Sequence, residues 1–572
     1  MTTGIPDADS ARAASPRALG RLGPRLAIGA VAVIVAGGVA VMALARSSSP
    51  ADDQRVCVDV AHEVGLDFTG AYGPVFPAQN AYGTLMQANM GNGAAVGDID
   101  GDGYLDVLLL GQAGQHSRLF RNDPAPDGGR RFTDITEAAG LGAVTSNARV
   151  AQFVDLAGTG RPDLVIAADY QPGGPGGSSQ LFRNDGAGHF TDVTAGSGFD
   201  PSGYIVGGMA FADYDGSGRP SIWLSYWTNE GASDPGRTDI KGLFPGSNRL
   251  YRNLGGYRFE DVTESMGPQA YHGDSFTAVF ADFTDDGRAD IYQANDNRPD
   301  RFYENLGGGT FRDPGYRSGL TRVGNSMGVA TTVDPDGSLA LFITHITDPS
   351  GLFGSNIGNT LMRFQRDADG LHFRDTIADT GLVDTAWGWG NAFVDLDLDG
   401  DLDAYAVQGM KAYVNGKSEH LADATSKLFL DDGTGAHYTT AAGTGCDLPG
   451  DQRALVVFDY DRDGAPDLLV TQVAGPTMLL RNQTTGRHSL TVAPTGPGDA
   501  GIDARIAVTA GGRTTTQLLL AGGSYLAGPP REAYFGLAAS PMADEVRIAW
   551  ADGTTTELHD VPADQVLRVP HG

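Results

Sequence analysis

The sequence predicts an all-β protein: a seven-bladed β-propeller with calcium loops, a small β domain after it and one transmembrane helix before it. Three observations carry that expectation. An acidic nine-residue motif recurs, complete or degraded, at seven places from Asp98 onward. Short apolar or alternating runs bounded by glycine turns follow each copy, the pattern of strands. An uncharged run of twenty residues, Leu26 to Ala45, leads the chain and is long enough to cross a bilayer core as a helix.

The 572 residues exceed one small domain, and the 82 glycines suit a turn-dense β protein. Lysines and arginines number 40 against 70 aspartates and glutamates, a formal charge of -30, which argues against a nucleic-acid partner. With Cys57 and Cys446 as the only cysteines, no thiolate metal cluster or disulfide framework is available.

Residues 1–25 are polar and carry Arg12, Arg17, Arg21 and Arg25. Arginines on that flank of the apolar run 26–45 predict a cytoplasmic tail, a membrane anchor and an extracytoplasmic remainder. A cleaved signal peptide is the alternative, since Ala43-Leu-Ala45 offers a small-residue cleavage site. Either way the chain after Arg46 is exported, and 46–53 is a polar linker.

Residues 54–482 hold the repeat. Its fullest copies are DIDGDGYLD (Asp98–Asp106), DLDLDGDLD (Asp395–Asp403) and DYDRDGAPD (Asp459–Asp467). Carboxylates this close repel one another unless a cation sits among them, and calcium accepts many hard oxygens in a flexible shell. Candidate ligands are Asp98, Asp100, Asp102 and Asp106 with the Tyr104 carbonyl; Asp395, Asp397, Asp399, Asp401 and Asp403; and Asp459, Asp461, Asp463 and Asp467 with the Ala465 carbonyl. An EF-hand would need a bidentate glutamate at its last position, between helices. Leu109, Ala406 or Val470 stands there instead, within a strand-like run. A metal-free Asp/Gly turn is the other alternative.

Degraded copies begin at Asp155, Asp213, Asp282 and Asp334. DFTDDGRAD keeps Asp282, Asp286 and Asp290, with Thr284 third and the Arg288 carbonyl seventh. DYDGSGRPS keeps Asp213 and Asp215, followed by Ser217. Affinity follows ligand charge. Calcium is therefore expected at the three full loops, next at Asp282, then at Asp213, and not at Asp155 or Asp334. Its expected role is structural.

The copies lie 52 to 69 residues apart. Between them recur an aromatic or apolar pair before asparagine (LFRND from Leu119 and from Leu181, LYRNL from Leu250, FYENL from Phe302, LLRNQ from Leu479) and an FTDIT-type strand from Phe132, Phe190 and Phe259. Seven units of about four short strands make a propeller. Val56–Phe68 resembles the FTDIT-type strand but precedes the first loop, while the seventh unit ends without one. The first segment is thus expected to complete the last blade. Cys57 lies in it, and Cys446 in the matching stretch of the preceding unit. A disulfide suits an exported chain; two separate buried thiols are the alternative.

From 483 to 572 the repeat stops. HSLTVAP, ARIAVTA, TQLLLAG, EVRIAWA and TTELHDV read as the strands of a separate small β domain.

These motifs resemble known families. The repeat resembles the FG-GAP/VCBS repeats of integrin α-like propellers. GIDARIAV (Gly501–Val508), GGSYLAG (Gly522–Gly528), YFGLAAS (Tyr534–Ser540) and VRIAWADGTTTE (Val546–Glu557) are similar to the ASPIC/UnbV pattern. The pairing resembles the cartilage acidic protein family and its bacterial relatives, some encoded beside enediyne antibiotic genes. It departs from the pattern at Asp503, usually glycine, and at Ala551, usually proline. The resemblance implies a calcium-binding extracellular propeller and supplies no catalytic residue.

GNSMG at Gly324–Gly328 fits a nucleophile elbow around Ser326. The same glycines recur in GGMAFADYD and WGNAFVDLD of other units, so they belong to the repeat. His272, Trp387 and Trp389 precede inner strands and are candidates for a ligand channel. The leading expectation is a membrane-anchored extracytoplasmic module that binds a glycan or protein. The alternative is an exported enzyme or biosynthetic accessory protein acting on a polysaccharide or secondary metabolite, a small-molecule ligand, at the channel mouth.

Overall fold

The computed structural model describes residues 56–572 apart from 74–88, 113, 145–146, 170–178, 202–204, 228–247, 268–269, 271–273, 348–357, 368–369, 384, 415–416, 421–424 and 499–500. The expected tail, anchor and linker (1–53) and His272 lie outside the described residues. Among the described residues, no helix is long and apolar enough to cross a membrane.

The chain is all-β. In the first unit Ala94–Gly97, Asp106–Leu109, Arg118–Pro124 and Arg130–Asp134 pair antiparallel in that order. The same four-strand path starts again at Ala148, Val206, Ser275, Val329 and Gly388. A seventh set starts at Gln452, and its fourth strand comes from the beginning of the chain. There Cys57–Asp59 pairs antiparallel with Met478–Asn482, Cys57 opposite Asn482. A disulfide joins Cys57 to Cys446, tying this closing strand to the sixth unit.

The first strand is wholly buried in several units, as in Ala148–Val154, Val206–Ala212 and Ser275–Ala281, while Val329–Val333 is only partly so. Continuous small and apolar residues allow this, because each such strand is covered on both faces. Successive first strands pack on one another, and Gln452–Phe458 packs on Ala94–Gly97, which closes a ring.

The C-terminal module has two sheets. One orders Ala533–Ala538, His488–Thr495 and Gln565–Pro570; the other orders Arg513–Leu519, Ala504–Ala510, Met542–Ala549 and Thr555–Pro562. Alternating burial along Ala504–Ala510 marks a half-covered sheet. Its core gathers Leu490, Val492, Ile506, Val546, Ile548 and Trp550.

Between the two sheets the chain leaves the module and fills the centre of the ring. Ala527–Gly528 pairs in parallel with Ala94–Ala95 of the first unit. Phe211 N–H donates to Ala521 O at 2.9 Å and Asn391 N–H to Ser524 Oγ at 3.1 Å. Glycine is required where the segment touches the inner strands: a Cβ on Gly522, whose φ is +121°, would meet Met209 O at 2.6 Å. Tyr525 is fully buried, its ring 4.8 Å from that of Trp389 and 5.6 Å from that of Phe276. Its hydroxyl donates to Met90 O at 3.0 Å.

This insertion corrects the expected ligand channel. Trp387 and Trp389 are completely buried. Trp389 lies between Tyr525 and the Arg453 guanidinium, which stacks 4.4 Å from its ring centroid. Both tryptophans serve the core. Ser326 is buried too, its hydroxyl donating to Asp300 Oδ2 at 3.0 Å.

Candidate metal centres

Each acidic loop is a tight reversal between the first two strands of a unit. In the first loop Gly101 and Gly103 have φ of +78° and +94°, the left-handed conformation that glycine adopts without strain. The turn aims backbone N–H groups inward. Gly101 and Gly103 donate to the two oxygens of Asp98 at 2.8 and 3.1 Å. The ninth-position aspartate closes the loop: Asp106 accepts Ile99 N–H at 3.1 Å and Asn122 N–H at 2.9 Å. Asp403 and Asp467 repeat this on Leu396 and Asp431, and on Tyr460 and Asn482.

Three groups of carboxylates come together, with ligand oxygens within 4.8 Å of one another: Asp98, Asp100 and Asp106; Asp395, Asp397 and Asp399; Asp459, Asp461 and Asp467. Other expected ligands are committed elsewhere. Asp401 pairs with Arg513 at 3.1 Å, Asp463 with Arg481 at 3.2 Å, and Asp102 accepts Tyr104 N–H at 2.8 Å. Asp403 faces backbone donors as described above.

Arg487 pairs with Asp397 at 2.8 Å and Arg481 with Asp461 at 2.9 Å, and even so burial leaves most of these carboxylates unfavourably charged. Burial, then the charges of Asp100 and Asp98, pushes Asp106 up to about 8. Burial and Asp397 push Asp403 to about 9, and burial lifts Asp395 and Asp459 to about 7. In the seventh loop Asp459 Oδ1 and Asp461 Oδ1 are buried without a hydrogen-bond partner. A buried carboxylate oxygen with no donor is costly, and a hard divalent cation would supply what is missing. The residues of this loop therefore fit calcium.

The degraded loops differ. Arg363 grips Asp334 through Nε at 2.7 Å and Nη2 at 3.2 Å, so a guanidinium neutralises that carboxylate. Asp155 is satisfied by the N–H groups of Thr159, Gly160 and Gly498. Asp213 accepts Ser217 and Gly218 N–H, and Asp215 accepts Ser217 N–H as well. At Asp282 the carboxylate takes the N–H groups of Asp286 and Gly287, and Asp286 pairs with Arg288. Asp290 accepts from Phe283 and Asn305, while Thr284 Oγ1 stays buried without a partner.

The recurring asparagine has a role that its spacing did not reveal. Asn122 Nδ2 donates to Tyr460 O at 2.8 Å, Asn184 to Ile99 O at 2.9 Å, and Asn253 to Leu156 O at 3.0 Å. Asn305 reaches Tyr214 O and Asn482 reaches Leu396 O, each at 2.8 Å. Each bonds the second residue of the neighbouring unit's loop, so one side chain fastens adjacent loops together.

Residues 98–166, 155–224 and 236–293 match the FG-GAP-like repeat, and residues 494–572 match ASPIC and UnbV. The chain combines FG-GAP-like repeats with an ASPIC/UnbV module. Relatives share this architecture. Cartilage acidic protein 1 of Mus musculus is 27% identical over 338 residues, covering 55% of this chain and 48% of that protein. The Homo sapiens protein is 26% identical over 338 residues, covering 55% and 47%. The chain thus spans about half the length of these curated relatives. A crystal structure of BBS1N in complex with ARL6DN, soaked with mercury, aligns at a TM-score of 0.40 and 9% identity over 76% of this chain and 98% of that one. A likeness of that size carries no argument.

The ASPIC/UnbV module sits on the acidic loops themselves. Gly536 N–H donates to Asp395 Oδ2 and Ala538 N–H to Leu398 O, both at 3.0 Å. Arg462 forks onto Glu532 at 2.6 and 2.8 Å. Leu398 and Arg462 hold the fourth loop position at φ +58° and +60°. The first loop has Gly101 there; in the other two loops the module docks on this position, through the backbone carbonyl of Leu398 and the side chain of Arg462.

Proposed function

We propose that this chain is a membrane-anchored, extracytoplasmic seven-bladed β-propeller whose full acidic loops hold structural calcium, and that it serves as an adhesion-type module for a glycan or protein ligand. The observation that carries the reading is the seventh loop, where Asp459 and Asp461 keep donor-free buried oxygens beside Asp467. Calcium there would neutralise the carboxylates and hold the loop in shape. The closed succession of seven four-strand sets supports seven blades. The Cys57–Cys446 disulfide supports an oxidising compartment, in keeping with the apolar run 26–45.

The test is retention. The full chain is immobilised and washed with envelope extract in calcium or in chelator, and the retained material is identified by mass spectrometry. A glycan or protein held only in calcium is the expected result. Nothing retained in either condition overturns the binding reading. A melting temperature that chelator leaves unchanged overturns the calcium assignment.

A further inference from the structure

At the seam between the ring and the ASPIC/UnbV module lies a cleft of about 300 Å³, at the small end of the range for ligand sites. Its wall is formed by the first acidic loop, the turn after Asp155 and three stretches of the module. Three guanidinium groups line it: Arg161 from the ring, Arg531 and Arg568 from the module. Arg161 Nε is held by Asn184 O at 3.3 Å and Arg531 Nη2 by Phe153 O at 2.6 Å. These contacts fix both side chains in place. Arg568 is about half exposed and lies 3.9 Å from Asp98.

The opposing charges do not cancel these arginines once the first loop is loaded. Asp98 and Asp100 line the cleft, and both belong to the first carboxylate group. A divalent cation on that group would offset two of the three carboxylate charges of Asp98, Asp100 and Asp106. Asp155, the third acid in the wall, is already satisfied by three backbone N–H groups. The cleft is then a cationic spot on a chain of charge -30. The other two groups have no such opening at their first ligand, since Asp395 and Asp459 are 2% and 1% exposed. Asp98 keeps 21% of its side chain exposed.

We infer that this cleft binds an acidic saccharide, a uronate of one or two rings. Resting on the ligand-binding reading above, this assigns that reading a site and a ligand class. A carboxylate pairs with guanidinium groups in charge-assisted hydrogen bonds. A bare anion would leave most of the cleft's volume unused.

The experiment is calorimetric titration of the full chain with digalacturonate, and with neutral digalactose as control, in calcium and in chelator. Digalacturonate is expected to bind in calcium. Arg568→Glu and Arg161→Gln should each weaken it about tenfold or more, the scale of one charge-assisted bond. Digalactose should bind wild type at least about tenfold more weakly, and chelator should weaken digalacturonate. Melting temperature checks each fold. Absence of digalacturonate binding, or equal affinity in folded variants, overturns the inference. The retention experiment separates the two readings. A calcium-dependent ligand held equally by wild type and Arg568→Glu defeats the cleft alone, whereas an empty matrix from both defeats the wider reading.

Discussion

Gly536 of the C-terminal module donates its backbone N–H to the Asp395 carboxylate of the ring at 3.0 Å. One carboxylate thus belongs both to a candidate cation site and to the interface that seats the module. A side chain has no room there: a Cβ on Gly536 would overlap Asp395 Oδ2 and the backbone of Leu398. Gly536→Ala should destabilise the protein by about 1–3 kcal/mol, the range for overpacking. It should also narrow the difference in melting temperature between calcium and chelator. A variant that melts like wild type in both conditions would show that the contact is dispensable.

Asp397→Ala combined with Asp461→Ala removes one carboxylate from each of two groups. The melting temperature in calcium should fall by more than the value in chelator, where each substitution removes like-charge repulsion along with one ion pair, to Arg487 or Arg481. The calcium–chelator gap therefore shrinks. A gap equal to that of wild type sinks the metal assignment at both loops.

Tyr525 tests the filled ring. Its ring is buried against Trp389 and Phe276, and its hydroxyl donates to Met90 O. Tyr525→Ala should cost about 3–5 kcal/mol, as for large aromatic truncations, and should shift tryptophan emission to the red as water reaches Trp389. Tyr525→Phe removes only the hydroxyl and should cost about 1 kcal/mol. Unshifted emission in the alanine variant would mean that the segment does not cover Trp389 in solution.

The acidic loops were legible because carboxylates and glycines recur at fixed short spacing, as in DIDGDGYLD. The closing strand was legible because Val56–Phe68 looks like a repeat strand in the wrong place. What stayed hidden depends on partners far apart in the chain. Asn122 reaches Tyr460, 338 residues away, and nothing local says so. Arg363, which neutralises Asp334, stands 29 residues beyond it on another strand. GGSYLAG is visible as a family mark, but its place at the centre of the ring follows from contacts to several separate units. Leu398 and Arg462 read as variable loop residues until the module is seen resting on them.

Cys57→Ser opens the disulfide to Cys446 and frees the strand that completes the seventh sheet. It should expose one titratable thiol in oxidised protein and cost about 2–5 kcal/mol. Two free thiols in oxidised wild type would place the chain in a reducing compartment and remove the argument for export.

The pH dependence follows from the same carboxylates. In chelator, burial raises Asp106 from 3.8 to about 8 and Asp403 from 3.8 to about 9. A folded-state pKa above the unfolded value means that the folded chain holds protons which the unfolded chain releases. That contribution is complete below about pH 4 and is lost as pH rises through about 8 to 9. Calcium reverses the trend, because its ligands must be ionised and binding releases their protons. Thermal melts from about pH 5 to about pH 8 should show stability falling in chelator while the increment from calcium grows. Parallel curves in the two conditions would mean that Asp106 is not among the groups that calcium engages.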